Sequence, residues 1–196
     1  RTDRMDALNS MNNGQQYSVL NYADNASQID IYDYKTLTKV NTLVNSKDLA
    51  DIAYFSNYTF SDDEIKVLLA TNVVSIFRRS TLGKYYVYDT QTKTTVLVSE
   101  DKIQEPTFSP DGSKIAYGLN NNLFVKDLKT GETSQITFDG EKNKIINGIT
   151  DWVYEEEFSL VRAFEWNTTG DKIAFIRFDE TNVPEFSMDV YGQQLY

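Results

Sequence analysis

The chain has 196 residues and contains no histidine and no cysteine. Without cysteine there is no disulfide framework, no thiolate nucleophile and no zinc–thiolate site, so redox compartment leaves no mark on the sequence. Without histidine, the usual general base near neutral pH and the commonest transition-metal ligand are both missing. Positive charge is also scarce. Nineteen basic against 29 acidic side chains leave a formal net charge of −10, which repels a phosphate backbone and argues against nucleic acid as a partner. No stretch approaches the ~20 apolar residues that span a bilayer, and the opening RTDRMDALNS has no apolar signal core. These features point to a soluble chain with no membrane span, from which any export signal has already gone.

What is present favours strands. Thirteen tyrosines, 11 phenylalanines and a hydrophobic fraction of 40% suit a folded β-rich protein better than a disordered one. Three segments share one pattern: YTFSDDEIKVLLAT from Tyr58, PTFSPDGSKIAYGL from Pro106 and FEWNTTGDKIAFIR from Phe164. Each runs aromatic, small polar, turn, apolar strand, and KIAY and KIAF alternate as half-buried strands should. A second motif also occurs three times, as IDIYDYKTLTKV from Ile29, YYVYDTQTKTTVLV from Tyr85 and LFVKDLKTGETSQIT from Leu123. Here a strand ends in Asp, crosses a polar turn and returns as a second strand. Two such hairpins make a four-stranded sheet.

The recurring Asp33, Asp89 and Asp127 lie 56 and 38 residues apart, bracketing the ~40 to 50 residues of one propeller blade. A β-sandwich with repetitive turns would leave the repetition unexplained. Propellers close with about 4 to 8 blades, and the pattern supplies three full units with a partial one at each end. The expected fold is therefore all-β, an incomplete propeller with approximate units 1–49, 50–104, 105–149 and 150–196, interrupted by a short helical excursion.

That excursion carries DWVYEEE at residues 151–157. Thr150 or Asp151 is placed to cap a short helix, and carboxylates in its first turn are favoured by the macrodipole. Trp152 and Tyr154 are expensive to expose, which predicts a segment packed down, with its carboxylates fixed and partly desolvated. Two carboxylates held close call for a cation between them. An α-amino group, with three N–H donors, meets that need through charge-assisted hydrogen bonds. Calcium normally takes ~6 to 8 oxygens, and no loop of that kind surrounds the cluster. SDDE at 61–64 and FDGEK from Phe138 read as ordinary turns before they read as metal sites. Tyr85, Tyr86 and Tyr88 read as strand core or rim before a stacking platform. Asn25, Asn57 and Asn167 open Asn-x-Ser/Thr sequons of the kind an Asn- and Thr-rich chain produces by chance.

NGITDWVYEEE, followed by WNTTGDKIAFIRFDETNVP, resembles the propeller of the dipeptidyl peptidase IV family of proline-specific serine peptidases. SIFRRSTLGKYYVYD, residues 75–89, resembles the family's segment in which an aromatic and an arginine precede a strand ending in YD. The resemblance implies an eight-bladed propeller, of which this chain is about the first half, joined to an α/β-hydrolase domain bearing a Ser-Asp-His triad. No G-x-S-x-G elbow and no histidine occur here, so no catalytic residue is assigned to this chain.

By the same resemblance Glu156 and Glu157 grip the N-terminal amine of a peptide substrate, Glu155 is structural, and Arg78 contacts the carbonyl between the first two substrate residues. A register slip of one would put Arg79 in that role. Asp151, Trp152 and Tyr154 support the motif, and no cofactor or metal is called for. The resemblance further implies removal of X-Pro or X-Ala dipeptides, a homodimer formed partly through an extension beginning near 183–196, and, given the absence of cysteine, an exported bacterial protein of the periplasm or cell surface. A non-catalytic propeller scaffold or protein-interaction module is the alternative. It accounts for the repeats but gives no reason for DWVYEEE together with Arg78.

Overall fold

The computed structural model describes residues 5–185. Three four-stranded antiparallel meanders follow one another along the chain. The first comprises β1 (Asp6–Ser10), β2 (Gln16–Ala23), β3 (Ala26–Asp33) and β4 (Lys39–Asn45). The second comprises β5 (Asn57–Phe60), β6 (Lys66–Ser75), β7 (Thr81–Asp89) and β8 (Thr95–Leu97). The third comprises β9 (Gln104–Phe108), β10 (Lys114–Leu119), β11 (Asn122–Asp127) and β12 (Thr133–Gln135). This is the N-terminal part of a β-propeller.

Local turn chemistry writes the repetition. In the β3–β4, β7–β8 and β11–β12 turns, Asp33, Asp89 and Asp127 each accept two amides, from the residues two and three further on, at 2.8–2.9 Å. Those amides hold all three carboxyls below the ordinary aspartate range. Each turn then passes through a left-handed residue, Leu37, Lys93 or Gly131. In the other hairpin type, Ser61 and Ser109 donate to Asp63 and Asp111 at 2.6 Å and accept the amides of Lys66 and Lys114. The Ser109 hydroxyl, with the amide and hydroxyl of Ser113, pushes Asp111 down to about 2. The SDDE and FDGEK segments are turn and loop, and no group of three or more acidic side chains among the described residues is placed to hold a metal.

Two expectations need correction. The N-terminal piece is a complete unit, because residues 11–16 form a fourth copy of the Ser-Pro-Asp-Gly-type turn. Met11 N bonds Gln16 O at 2.9 Å and Gly14 takes the left-handed φ of 65°. The inner strands β6 and β10 are also buried on both faces, not half-buried. On β6, Val67 and Leu69 face a core shared with the first sheet, while Leu68 joins a core shared with the third. On β10, Ile115 and Tyr117 face the second sheet and Ala116 the fourth. Face-to-face stacking of sheets requires this, since a strand with neighbours on both sides has no solvent face.

The fourth unit positions the site. A run through β15 (Ile173–Phe175) and β16 (Arg177–Asp179) pairs at one end with β14 (Phe164–Trp166) and at the other with β13 (Ile145–Asn147). Ile176 bridges the two, donating to Ala163 O and accepting from Gly148 N, both at 2.9 Å. β13 and β14 are thus two halves of one strand, and residues 149–162 are looped out of it. The neck is closed by Ala163 N to Gly148 O (2.8 Å), Thr150 N to Val161 O (3.1 Å) and an Ile149–Arg162 bridge. The expected 149/150 unit boundary falls inside this interrupted strand.

The neck lies flush on the third sheet because two glycines permit it. A Cβ on Gly148, at φ +73°, would sit 2.6 Å from Leu123, and one on Gly118 would sit 2.6 Å from Ile149. The tail reading for 183–196 lies almost wholly outside the described residues. Gly148→Ala is expected to lower unfolding free energy by about 2 to 4 kcal/mol, from overpacking against Leu123 plus left-handed strain. Chemical denaturation checks this, and a change under about 0.5 kcal/mol, the range of a neutral surface substitution, would contradict the close approach.

Candidate functional site

The tip of the looped-out segment is α1 (Trp152–Phe158), a helix of seven residues. Asp151 is its N-cap, accepting Tyr154 N at 2.8 Å, and Thr150 instead ties the neck by donating to Leu160 O at 2.6 Å. Ser159 ends the helix in the left-handed region at φ 55°. Burial pushes the Glu180 carboxyl up, and a hydrogen bond shared with Asp151 raises it further, linking the helix start to the residue after β16.

Glu155 is the buried residue of this helix, 1% exposed. Its carboxylate lies against loop 76–80, which joins β6 to β7 in the second sheet. There Oε1 accepts the amides of Arg79 and of Ser80, the latter at 2.9 Å. Burial alone would raise this carboxyl. The two backbone amides and the Arg79 charge outweigh it and hold Glu155 below the ordinary glutamate range.

This clamp brings the arginine loop and the acidic helix together. Arg78 Nε donates to both oxygens of Glu156, at 2.9 and 3.1 Å. Neither terminal nitrogen of that guanidinium makes a hydrogen bond among the described residues, and the Arg78 side chain is 70% exposed. Glu156 is half-buried, while Glu157 is exposed and carries no ion pair or hydrogen bond among the described residues. One carboxylate is therefore balanced by a guanidinium with donors to spare, and the adjacent one is unbalanced. Arg79 contributes its amide to Glu155, and its side chain lines a cavity of about 480 Å³ with Thr81, Tyr85 and Glu105.

The aromatic expectation needs revision. Trp152 is 56% exposed and Tyr154 38%, so neither is packed down as its hydrophobicity suggests. Tyr154 meets Phe178 edge-on at 4.8 Å between centroids, and Trp152 lines a groove with Ile76 and Phe77. The inward face of so short a helix is set by the acceptor that loop 76–80 needs, which is Glu155. Tyr88 is buried, with Tyr85 and Tyr86 packed against the cores on either side of the second sheet. Sequence reasoning passed over Arg162, which donates to Thr107 of β9 at 3.2 Å and pairs with Glu165 at the neck; it belongs to no motif, and nothing local marks it.

The arrangement defines a class, an incomplete propeller whose fourth sheet extrudes an acidic helix against an arginine-bearing loop of the second. Residues 61–196 match the family described as "Dipeptidyl peptidase IV (DPP IV) N-terminal region". The chain belongs to that family. It is 35% identical over 186 residues to human "Prolyl endopeptidase FAP", covering 93% of this chain and 24% of that protein. It is 38% identical over 144 residues to Felis catus "Dipeptidyl peptidase 4", covering 71% and 19%. The crystal structure of Porphyromonas gingivalis dipeptidyl peptidase 4 superposes with a TM-score of 0.88 at 35% identity, over 98% of this chain and 28% of that one. The chain thus spans about a fifth to a quarter of the length of the relatives it matches.

Glu155→Ala leaves two loop amides without an acceptor and is expected to destabilise the junction by about 2 to 4 kcal/mol, whereas Glu155→Gln retains an acceptor oxygen and loses less. Because the folded carboxyl titrates below its ordinary 4.5, its contribution is complete above that pH and is lost as pH falls through the lower folded value. Melting temperatures measured from neutral pH into acid should fall less steeply for Glu155→Gln than for the unmodified protein. Superimposable acid limbs would contradict the clamp.

Proposed function

We propose that this chain is the substrate-anchoring part of a serine-type dipeptidyl aminopeptidase that removes X-Pro or X-Ala dipeptides from peptide N-termini. The single observation that carries the reading is the Arg78–Glu156 ion pair at 2.9 Å, made between residues 78 positions apart on two different sheets' excursions. An exposed ion pair contributes only about 0 to 1 kcal/mol to stability, so its value lies in geometry. Glu156 and Glu157 receive the substrate's N-terminal ammonium, whose three donors match two carboxylates. The free terminal nitrogens of Arg78 receive the carbonyl between the first and second substrate residues. A scaffold reading gives this constellation no task.

The physics is that of a ruler. An extended peptide advances about 3.3 to 3.6 Å per residue, so a fixed amine puts the second peptide bond about 7 Å away. The nucleophile belongs to an α/β-hydrolase domain elsewhere in the same polypeptide, and this chain by itself is inactive. Chain length is measured here and the bond is broken there. Export to a bacterial periplasm or surface, and homodimerisation, belong to the same reading through the family.

In the full-length parent, Glu156→Ala and Glu157→Ala should each lower kcat/KM on an X-Pro substrate by about a hundredfold, because each removes one of the two carboxylates that receive the substrate ammonium through charge-assisted hydrogen bonds. Circular dichroism should show the fold intact. Activity should also decline as pH rises through the substrate amine's pKa of about 7.7 to 8.0, and an N-acetylated substrate should not be cleaved. Near-normal turnover by either variant, or equal cleavage of the acetylated peptide, contradicts the reading.

A further inference from the structure

The first hairpin of each unit turns through six residues on one backbone path, at 11–16, 61–66, 109–114 and 167–172. In every copy the first residue's amide bonds the sixth residue's carbonyl at 2.9–3.0 Å, and the fourth residue's amide bonds the first residue's carbonyl at 2.8–3.0 Å. The fourth residue is left-handed each time, with φ of 65, 59, 65 and 68°. Asn167 replaces the serine in the last copy, its Oδ1 accepting the amides of Asp171 and Lys172 at 3.1 and 3.0 Å.

These turns touch one another in order. Asn12 N donates to Glu64 Oε1 and Asn12 Nδ2 to Asp62 O, both at 2.7 Å. A Cβ on Gly112 would stand 3.3 Å from Ser61 Cβ and 3.8 Å from Lys66 Nζ, and one on Gly170 would stand 3.4 Å from Ser109 Cβ and 3.6 Å from Asp111 Oδ1. Lys114 Nζ donates to Gly170 O at 3.2 Å. At the last two seams the first residue of a turn is thus the floor under the next turn's glycine, and its sixth residue, a lysine, reaches the same glycine. An ammonium on a flexible stem suits that reach.

Burial follows the row. Ser61 and Ser109 are buried and Lys66 and Lys114 half-buried, each with a following turn against it. Lys172 holds the same position in the last turn, yet it is exposed and its ammonium makes no hydrogen bond or ion pair among the described residues. At the opposite end, a Cβ on Gly14 would meet nothing within 4 Å. The row is closed inside and open at both ends.

We propose that the 167–172 turn is a docking face for a fifth turn of the same kind, supplied by the polypeptide outside this chain, with Lys172 Nζ donating to the carbonyl of that turn's fourth residue and Asn167 lying beneath it. The two preceding seams define the partner: a backbone carbonyl on a left-handed glycine, with no side chain to hold the turns apart. This chain spans about a fifth to a quarter of the relatives it matches, which leaves room for such a turn. The inference is independent of the amine-site reading.

The test is acetylation of lysines in the folded full-length parent, with the rate at each residue read by mass spectrometry of its peptides. Lys129 is exposed and its ammonium has no partner among the described residues, so it sets the free rate. Lys172 should react about fivefold more slowly than Lys129 and at nearly the rate of Lys114, the protection one ordinary hydrogen bond confers. Lys172→Met and Lys114→Met should each lower the melting temperature by about 1 to 3 °C, with no change for Lys129→Met. Reaction of Lys172 as fast as Lys129 overturns the proposal. So does a slow Lys172 whose replacement by methionine costs nothing where Lys114→Met lowers the melt, because something other than a bonded turn then covers it. If neither methionine variant shifts the melt, or either fails to fold, the rates on the unmodified parent decide.

Discussion

The site depends on one buried carboxylate. Glu155 is not placed to meet a ligand; it accepts the amides of Arg79 and Ser80 and so joins a loop of the second sheet to a helix extruded from the fourth. An ionised acceptor with two amide donors makes charge-assisted hydrogen bonds, and leaving those amides unpaired in a buried place is costly. The clamp therefore settles on one geometry. Arg78 precedes the clamped amides and Glu156 follows the clamping residue, so their meeting at 2.9 Å is a consequence of it.

The propeller supplies the rigidity this needs. Sheets stacked face to face bury both faces of β6 and β10, which leaves little room for adjacent units to slide. A strand can nonetheless be interrupted where its partner runs on uninterrupted, and β15 and β16 do so past the neck. The looped-out segment inherits its base from the sheet ladder and its tip from the Glu155 clamp. Two anchor points on different sheets define an orientation that a free surface helix of seven residues lacks. Function is thereby set on a frame whose parts are far apart in the chain.

Much of this was legible in the residues because turn chemistry is local. Asp33, Asp89 and Asp127 report the same amide-capturing turn wherever they occur, and the serine–aspartate turns at 61–66 and 109–114 do likewise. The copy at 11–16 leaves no mark in the sequence because MNNGQQ shares the backbone path but neither the serine nor the aspartate. Burial of β10 on both faces is not legible because Ile115-Ala116-Tyr117 alternates in size, not in polarity, and what covers its second face is the neck of the next unit. Trp152 and Tyr154 were expected inside on hydrophobicity, whereas the helix turns inward the group that loop 76–80 must bond. Arg162 was invisible, since only the fold brings β9 to the neck of the fourth sheet.

The most direct measurement is native-state hydrogen exchange at the amides of Arg79 and Ser80. Loop 76–80 carries exposed side chains at Ile76, Phe77, Arg78 and Arg79, and in a loop held by nothing else such amides exchange at rates typical of mobile surface segments. A clamp by Glu155 predicts that both are protected as strongly as the neighbouring strand amides of β6 and β7, and that Glu155→Ala abolishes this protection without changing theirs. Fast exchange of both amides in the unmodified protein would contradict the account at its root.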